Sequence, residues 1–308
     1  MKVYKYERID TEKCVLALGS FDTIHIGHKQ LILRAKDYAS ELGIPMGVYM
    51  FEKRPAHLLE RAPQKDTYTA PQRERLIEAL GVGFIYYEKF DTDFMQKSPE
   101  EFVRYLKDKL SVKAVFVGFN YRFGKNAAGD SVLLCALGAR YGIEVIVVPA
   151  VCDAEGVVSS TRVRKLLAEG DLSANVLLGR PFELEGYVEK DRGVGHAMGV
   201  PTANLVLPEN VLLPKDGVYM TVAIVDGACY PSVTNIGIRP TFGLEKRTVE
   251  THLLDYAGDL YGKTIRLAFY TYLREERVFA DVDGLVAQIS EDKQRAKELF
   301  LKINSEKS

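Results

Sequence analysis

Strand and helix signals alternate through the first half of this chain and give way to strands alone in the second. That change of rhythm limits the fold more than any single motif. Cys14–Leu18 is a short apolar run ending in Gly19, and a helical pattern follows over about residues 27–42. Met46–Phe51 reads as a second strand, Pro71–Leu80 as a helix closed by Gly81, and Phe84–Tyr87 as a third strand. Ser98-Pro99-Glu100-Glu101 supplies a helix start, with a capping serine, a proline at the first helical position and two early acids. Lys113–Val117 is a fourth strand, Ser131–Tyr141 a helix and Glu144–Val148 a fifth strand. Short apolar strands separated by helices predict an α/β domain, a parallel sheet covered on both faces.

Beyond about residue 180 the helices disappear. Tyr219–Val225, Cys229–Ile236, Thr248–Leu254 and Thr264–Leu273 read as strands joined by Gly, Pro and Asp turns, which predicts a small antiparallel barrel or sandwich. A final helix is expected over Val282–Ile303, with Leu285, Ile289, Leu299 and Phe300 near one face. Gly179-Arg180-Pro181 ends the helical run, so the domains are expected at 1–180 and 181–308. A length of 308 residues also suits two domains.

The charges nearly cancel, 41 Lys+Arg against 42 Asp+Glu, which argues against a general nucleic-acid or membrane-surface binder. Any phosphate must then be held by local geometry. Cys14, Cys135, Cys152 and Cys229 are far apart with no C-x-x-C pair, a pattern of reduced, buried thiols rather than of a disulfide scaffold or zinc site. The first ten residues carry charges where a signal peptide needs its apolar core, and no apolar run approaches the roughly 18 residues of a membrane span. A soluble, cytoplasmic protein is expected.

Two of the five histidines, His25 and His28, share one window directly after the first strand, Gly19-Ser20-Phe21-Asp22-Thr23-Ile24-His25-Ile26-Gly27-His28. In an open parallel sheet ligands bind beyond the carboxyl ends of the strands, where this loop lies. Gly19 and Gly27 omit side chains where a phosphate would approach backbone, and the helix start adds N–H donors and a positive dipole end. Two imidazoles there can donate to phosphate oxygens as charge grows in a transition state. A chance pair on a surface turn is the alternative, as is a metal site, although no third ligand stands at a diagnostic spacing. A second segment, Ser159-Ser160-Thr161-Arg162-Val163-Arg164, follows the fifth strand and opens a helix. Ser and Thr are caps by default, but two arginines in a first turn oppose the dipole and suit a triphosphate instead.

Together the G-x-F-D-x-x-H-x-G-H and S-S-T-x-x-R blocks resemble the HxGH nucleotidyltransferases, and in detail the bacterial bifunctional riboflavin kinase/FMN adenylyltransferase family. Phe51-Glu52, Val117-Gly118-Phe119-Asn120-Tyr121-Arg122-Phe123-Gly124, Gly129-Asp130 and Leu177-Leu178-Gly179-Arg180-Pro181 extend the match. The resemblance implies a Rossmann-like nucleotidyltransferase domain followed by an antiparallel β-barrel kinase domain with a terminal helix. In the first domain it implies attack of FMN on the α-phosphate of ATP, giving FAD and pyrophosphate. His25 and His28 would stabilise that phosphate, and Ser159, Ser160, Thr161 and Arg164 would hold the departing phosphates. Gly19, Phe21, Asp22 and Asn120 would complete the nucleotide site. Thr23-Ile24 replaces the usual Gly-Val and Lys53-Arg54 the usual Pro-His, changes that bear on loop rigidity and flavin affinity rather than on a catalytic group.

In the second half Gly199-Val200-Pro201-Thr202-Ala203-Asn204 follows Arg192-Gly193-Val194-Gly195. Alone it reads as a turn. It also resembles the nucleotide-binding turn of riboflavin kinases, and Asn235-Ile236-Gly237, Val249-Glu250-Thr251-His252 and Leu273-Arg274 follow in family order. The resemblance implies Mg²⁺ held with ATP by Thr202 and Asn204, whose hard neutral oxygens suit that ion. It implies proton removal from the ribityl hydroxyl by Glu250, and nucleotide or flavin contacts from Gly195, Gly199, Pro201 and Arg274. Read without the family, Glu250 is a polar residue on an exposed strand face and Arg274 a surface ion pair. The stretch Lys190–His196 departs from the family's loop, with displaced glycines and His196 in place of an arginine. An adenylyltransferase whose barrel has become a flavin-binding or regulatory module therefore stands as the alternative. The expected small molecules are ATP, riboflavin and FMN, with flavins as substrate and product.

Overall fold

The computed structural model describes residues 1–7, 9–53, 65–190, 202–241, 244–277 and 279–305. The chain divides into two compact units, Met1–Asp66 with Ala70–Ser160, and Thr67–Thr69 with Thr161–Ser308.

The first unit is built on six parallel strands: β1 (Lys2–Lys5), β2 (Cys14–Leu18), β3 (Met46–Phe51), β4 (Phe84–Glu88), β5 (Val112–Gly118) and β6 (Glu144–Val148). Their order is β1-β4-β3-β2-β5-β6, all pairs parallel. The expected parallel sheet is present, with one strand more than the sequence suggested. Edge strand β1 is short and largely exposed, so it lacks the apolar signature of the others. All five residues of β2 are buried, as a central strand covered on both faces requires. Helix α1 (Ile26–Leu42) presses Leu31, Ile32, Ala35 and Ala39 onto the sheet and ends at Gly43, whose φ of 64° closes the helix in the left-handed region. From β2 the chain builds outward through β3 and β4, then returns to place β5 and β6 on the opposite side. The crevice beyond the carboxyl ends of β2 and β5 is the switch point where such sheets bind ligands. After β6 a short antiparallel hairpin, β7 (Cys152–Asp153) with β8 (Gly156–Val157), leads toward Ser159.

The second unit is a closed barrel in the order β10-β13-β12-β11-β14-β9, formed by β9 (Phe182–Glu189), β10 (Ala203–Val206), β11 (Gly217–Val225), β12 (Ala228–Thr241), β13 (Leu244–Leu253) and β14 (Thr264–Arg274). Every neighbouring pair is antiparallel. The helix Ser160–Glu169, from Thr161 onward, and the helix Ala174–Leu178 group with it. Asn175 anchors the second of them, its side chain donating to Phe269 O at 2.8 Å and accepting from Phe182 N at 2.8 Å. Inside the barrel Phe182, Tyr219 and Phe269 pack edge to face or tilted. Beside them runs a chain of fully buried hydroxyls: Ser232 and Thr234 each lie 2.7 Å from Thr221, and Thr234 donates to Thr251 at 2.9 Å. Outside, Met220, Val222, Leu254 and Ala268 are covered by the terminal helix Val282–Ser305 through Ala296, with Leu299 and Phe300 packed around them.

Among the described residues no helix is long and apolar enough to cross a membrane. The expectation of buried thiols needs correction. Only Cys14, in the central strand, is buried, and that burial pushes its pKa up to about 12. Cys135, Cys152 and Cys229 are exposed, because they sit on a helix face, in the β7–β8 hairpin and at the start of β12.

Candidate active sites

The loop from Gly19 to His25 leaves β2 and turns directly into α1. Phe21, Asp22, Thr23 and Ile24 are buried, and His25 nearly so. Phe21 has φ 44° and Ile24 φ 47°. A bulky and a β-branched residue in the left-handed region cost roughly 1–3 kcal/mol each. Both side chains are embedded in the core beneath α1, which holds the loop in place. Phe21 is thus a packed wedge whose ring fills the space over Gly19, where an added Cβ would lie 3.0 Å from it.

His25 is the N-cap of α1, its Nδ1 accepting the N–H of His28 at 3.2 Å. With Nδ1 accepting that bond, Nε2 is the ring nitrogen left to donate. The two imidazoles are stacked, centroids 3.8 Å apart and planes inclined by 11°, and the edge of Phe21 braces His28 at 5.2 Å. Gly27 makes the stack possible, since a Cβ there would come within 3.1 Å of the His25 ring. Stacked rings, helix N–H groups and the positive end of the helix dipole lie together at the start of α1.

The loop is tied to the second motif by one side-chain bond, Thr23 Oγ1 to Ser160 Oγ at 2.9 Å. Ser159 is the preceding residue, half-buried like Ser160. Thr161 and Arg164 occupy the first turn of the helix that Ser160 opens, and belong to the second unit. Asn120 is exposed in the turn after β5, closed by Tyr121 N to Gly118 O at 3.0 Å, on the strand adjacent to β2.

In the second unit Asn204, Glu250, Asn235, Val218 and Arg274 are successive register partners on β10, β13, β12, β11 and β14. Their strand neighbours Val249, Thr251, Thr234 and Tyr219 are buried toward the interior. Period two therefore puts the whole row on the outer wall. Between that wall and the terminal helix lies a cavity of about 260 Å³, and its lining includes Thr202, Glu250, Asn235 and Arg274, with Leu285 and Ile289 from the helix. Asn204 shares the row without lining the cavity. Thr248 donates to Glu250 Oε1 at 3.4 Å. Gly195, Gly199 and Pro201, with most of the 190–196 loop, lie outside the described residues.

Arg274 is engaged within the protein. Its Nε lies 3.1 Å and its Nη2 2.8 Å from Asp292 Oδ2 on the terminal helix, with Asp292 buried and Arg274 mostly so. Gln288 adds a bond to Asp292 at 3.3 Å. The pair pins the helix over the cavity. Asp292→Ala leaves a buried guanidinium without its counter-ion, and thermal melting should show a loss of about 3 kcal/mol; an unchanged melting temperature would contradict this role. Sequence reasoning missed Asp292 and Glu276, and named Asn235 only within a family block, without a role. Asn235 donates from Nδ2 to Glu276 Oε1 at 2.8 Å, and its Oδ1 is buried without a partner among the described residues. Its place beside Glu250 depends on strand register, for which no local sequence signal exists.

A parallel-sheet nucleotide site and a barrel with its own cavity define a two-site enzyme architecture, and comparison with known proteins agrees. The model of FAD synthetase matches residues 7–162 and that of riboflavin kinase residues 178–300. The protein named bifunctional riboflavin kinase/FMN adenylyltransferase from Bacillus subtilis is 35% identical over 296 residues, covering 94% of this chain and 93% of its own. Its namesake from Escherichia coli K12 is 35% identical over 303 residues, covering 97% and 96%. A crystal structure described as a macrolide-efflux protein from Streptococcus pneumoniae shares the fold, with a TM-score of 0.88 at 30% identity over 96% of this chain and 99% of its own. The chain belongs to the bifunctional riboflavin kinase/FMN adenylyltransferase family.

Proposed function

We propose that this protein makes FMN from riboflavin at the barrel and FAD from FMN at the parallel sheet, with ATP as donor in both steps. The functional modules on this reading are residues 1–180 and 181–308. In the kinase step Glu250 takes the proton of the terminal ribityl hydroxyl, and that oxygen attacks the γ-phosphorus as the bond to ADP breaks. Thr202 and Asn204 would supply protein oxygens to Mg²⁺ carried by ATP, few being needed by an ion that keeps phosphate and water ligands, and the ion would neutralise charge on the phosphates. In the adenylyl step an FMN phosphate oxygen attacks the α-phosphorus and pyrophosphate leaves. His25 and His28 donate to the non-bridging oxygens, while Ser159, Ser160, Thr161 and Arg164 hold the leaving group. Gly19, Phe21 and Asp22 shape the loop, and Asn120 lies toward the nucleotide.

What supports this reading is that each unit offers a candidate site: stacked histidines at a helix start in one, and Glu250 in a polar row on a cavity wall in the other. The near-neutral charge supports small anionic partners held by local devices rather than nucleic acid or membrane, and a cytoplasmic setting supplies the ATP. Purified protein given riboflavin, ATP and Mg²⁺ should yield FMN and then FAD by chromatography. FAD from added FMN but not from riboflavin would reduce the barrel to a flavin-binding module. No flavin nucleotide under any condition would overturn both assignments.

A further inference from the structure

Thr23 stands where the family commonly has glycine, inside the loop that carries both histidines. It is fully buried, and its hydroxyl lies 2.9 Å from Ser160 Oγ. We propose that Thr23 is a positioning residue of the adenylyltransferase site, acting through Ser160 on the phosphates of ATP. This rests on the reading of the first unit given above.

Either hydroxyl can donate across this contact, and the direction that would serve the phosphates runs from Thr23 to Ser160. Each hydroxyl has one proton to give and two lone pairs to accept with. Thr23 is shut away from water, whereas Ser160 is half-buried at the start of a helix. If Thr23 donates to Ser160, the serine proton is directed outward, toward an oxygen of the departing pyrophosphate. A hydroxyl that already accepts a hydrogen bond donates a stronger one. The same contact holds the histidine loop, with its two residues of positive φ, against the segment that binds the leaving group. Groups that stabilise the two ends of the breaking bond are thereby fixed in one geometry, the condition under which positioning lowers a barrier. A glycine at this position has no hydroxyl with which to do so.

The test is a set of kinetic measurements on the intact protein. Thr23→Val fills the same buried space without the hydroxyl. It should raise KM for ATP in FAD formation and lower kcat/KM for ATP about five- to tenfold, the worth of one hydrogen bond. KM for FMN and the rate of FMN formation from riboflavin should be unchanged, the second serving as a check that the chain is folded. Thr23→Ser, which keeps the hydroxyl, should restore most of the loss. Combined with Ser160→Ala, Thr23→Val should add no further loss, because its effect passes through that serine. Unchanged ATP kinetics in Thr23→Val, a Thr23→Ser variant as impaired as the valine, or losses that simply multiply in the double variant would each overturn the proposal. Absence of FAD formation in the unaltered protein is a separate result and removes the function assigned to the unit itself.

Discussion

Replacing His28 by alanine should lower FAD formation by about 100- to 1000-fold while FMN made from riboflavin accumulates. The magnitude is that of losing one preorganised donor to an oxygen that gains charge in the transition state. His28 is a better probe than His25 for a structural reason. The Nδ1 of His25 caps α1, so truncating His25 would also cost the helix about 1 kcal/mol. The His28 ring makes a stack with His25 and an edge contact with Phe21, and its removal leaves the cap's backbone partner in place. FMN should still appear because the barrel has its own site. Chromatography of the riboflavin reaction reads both products at once, and undiminished FAD would remove His28 from the role assigned to it.

Glu250→Gln should give the opposite pattern. FMN formation should fall by about 100- to 10,000-fold, the range spanned by general acid–base catalysis, while FAD continues to form from supplied FMN. Glutamine preserves the shape of the side chain, so the register Asn204–Glu250–Asn235 and the contact with Thr248 need not change. What is lost is the capacity to hold the hydroxyl proton as the phosphoryl group transfers. Unaltered FMN production would mean that this carboxylate is a polar residue on a strand face and nothing more.

The two sites differed in how openly the sequence displayed them. The histidine loop is one contiguous window after a fully apolar strand, and its position at the carboxyl end of the sheet follows from the alternation of strands and helices. The bond from Thr23 to Ser160 was not legible, since it joins residues 137 apart. In the barrel, β9 carries its inward signature at Phe182, Leu184, Gly186 and Val188, but the glutamates between them weaken the apolar pattern. The start of β13 is equally obscure: the strand begins at Leu244 and pairs with the polar end of β12, and that pairing has no local sequence signal. Asp292 gave no signal because its partner Arg274 lies on β14, and only the packing of the terminal helix brings them together.

The hydroxyl chain inside the barrel bears on how this catalytic wall can change over evolutionary time. Slipping β13 by one residue would send Glu250 inward and expel Thr251, and a slip of β11 or β12 would expel Thr221 or the pair Ser232 and Thr234. Those hydroxyls satisfy one another only in the present alignment, and in the dry interior each lost bond leaves an unpaired polar group. Registration is thus keyed from behind the wall that lines the cavity. Outward residues can be exchanged one at a time without loosening the sheet that presents them, which makes the barrel a frame on which acceptor specificity is free to drift while strand alignment is not.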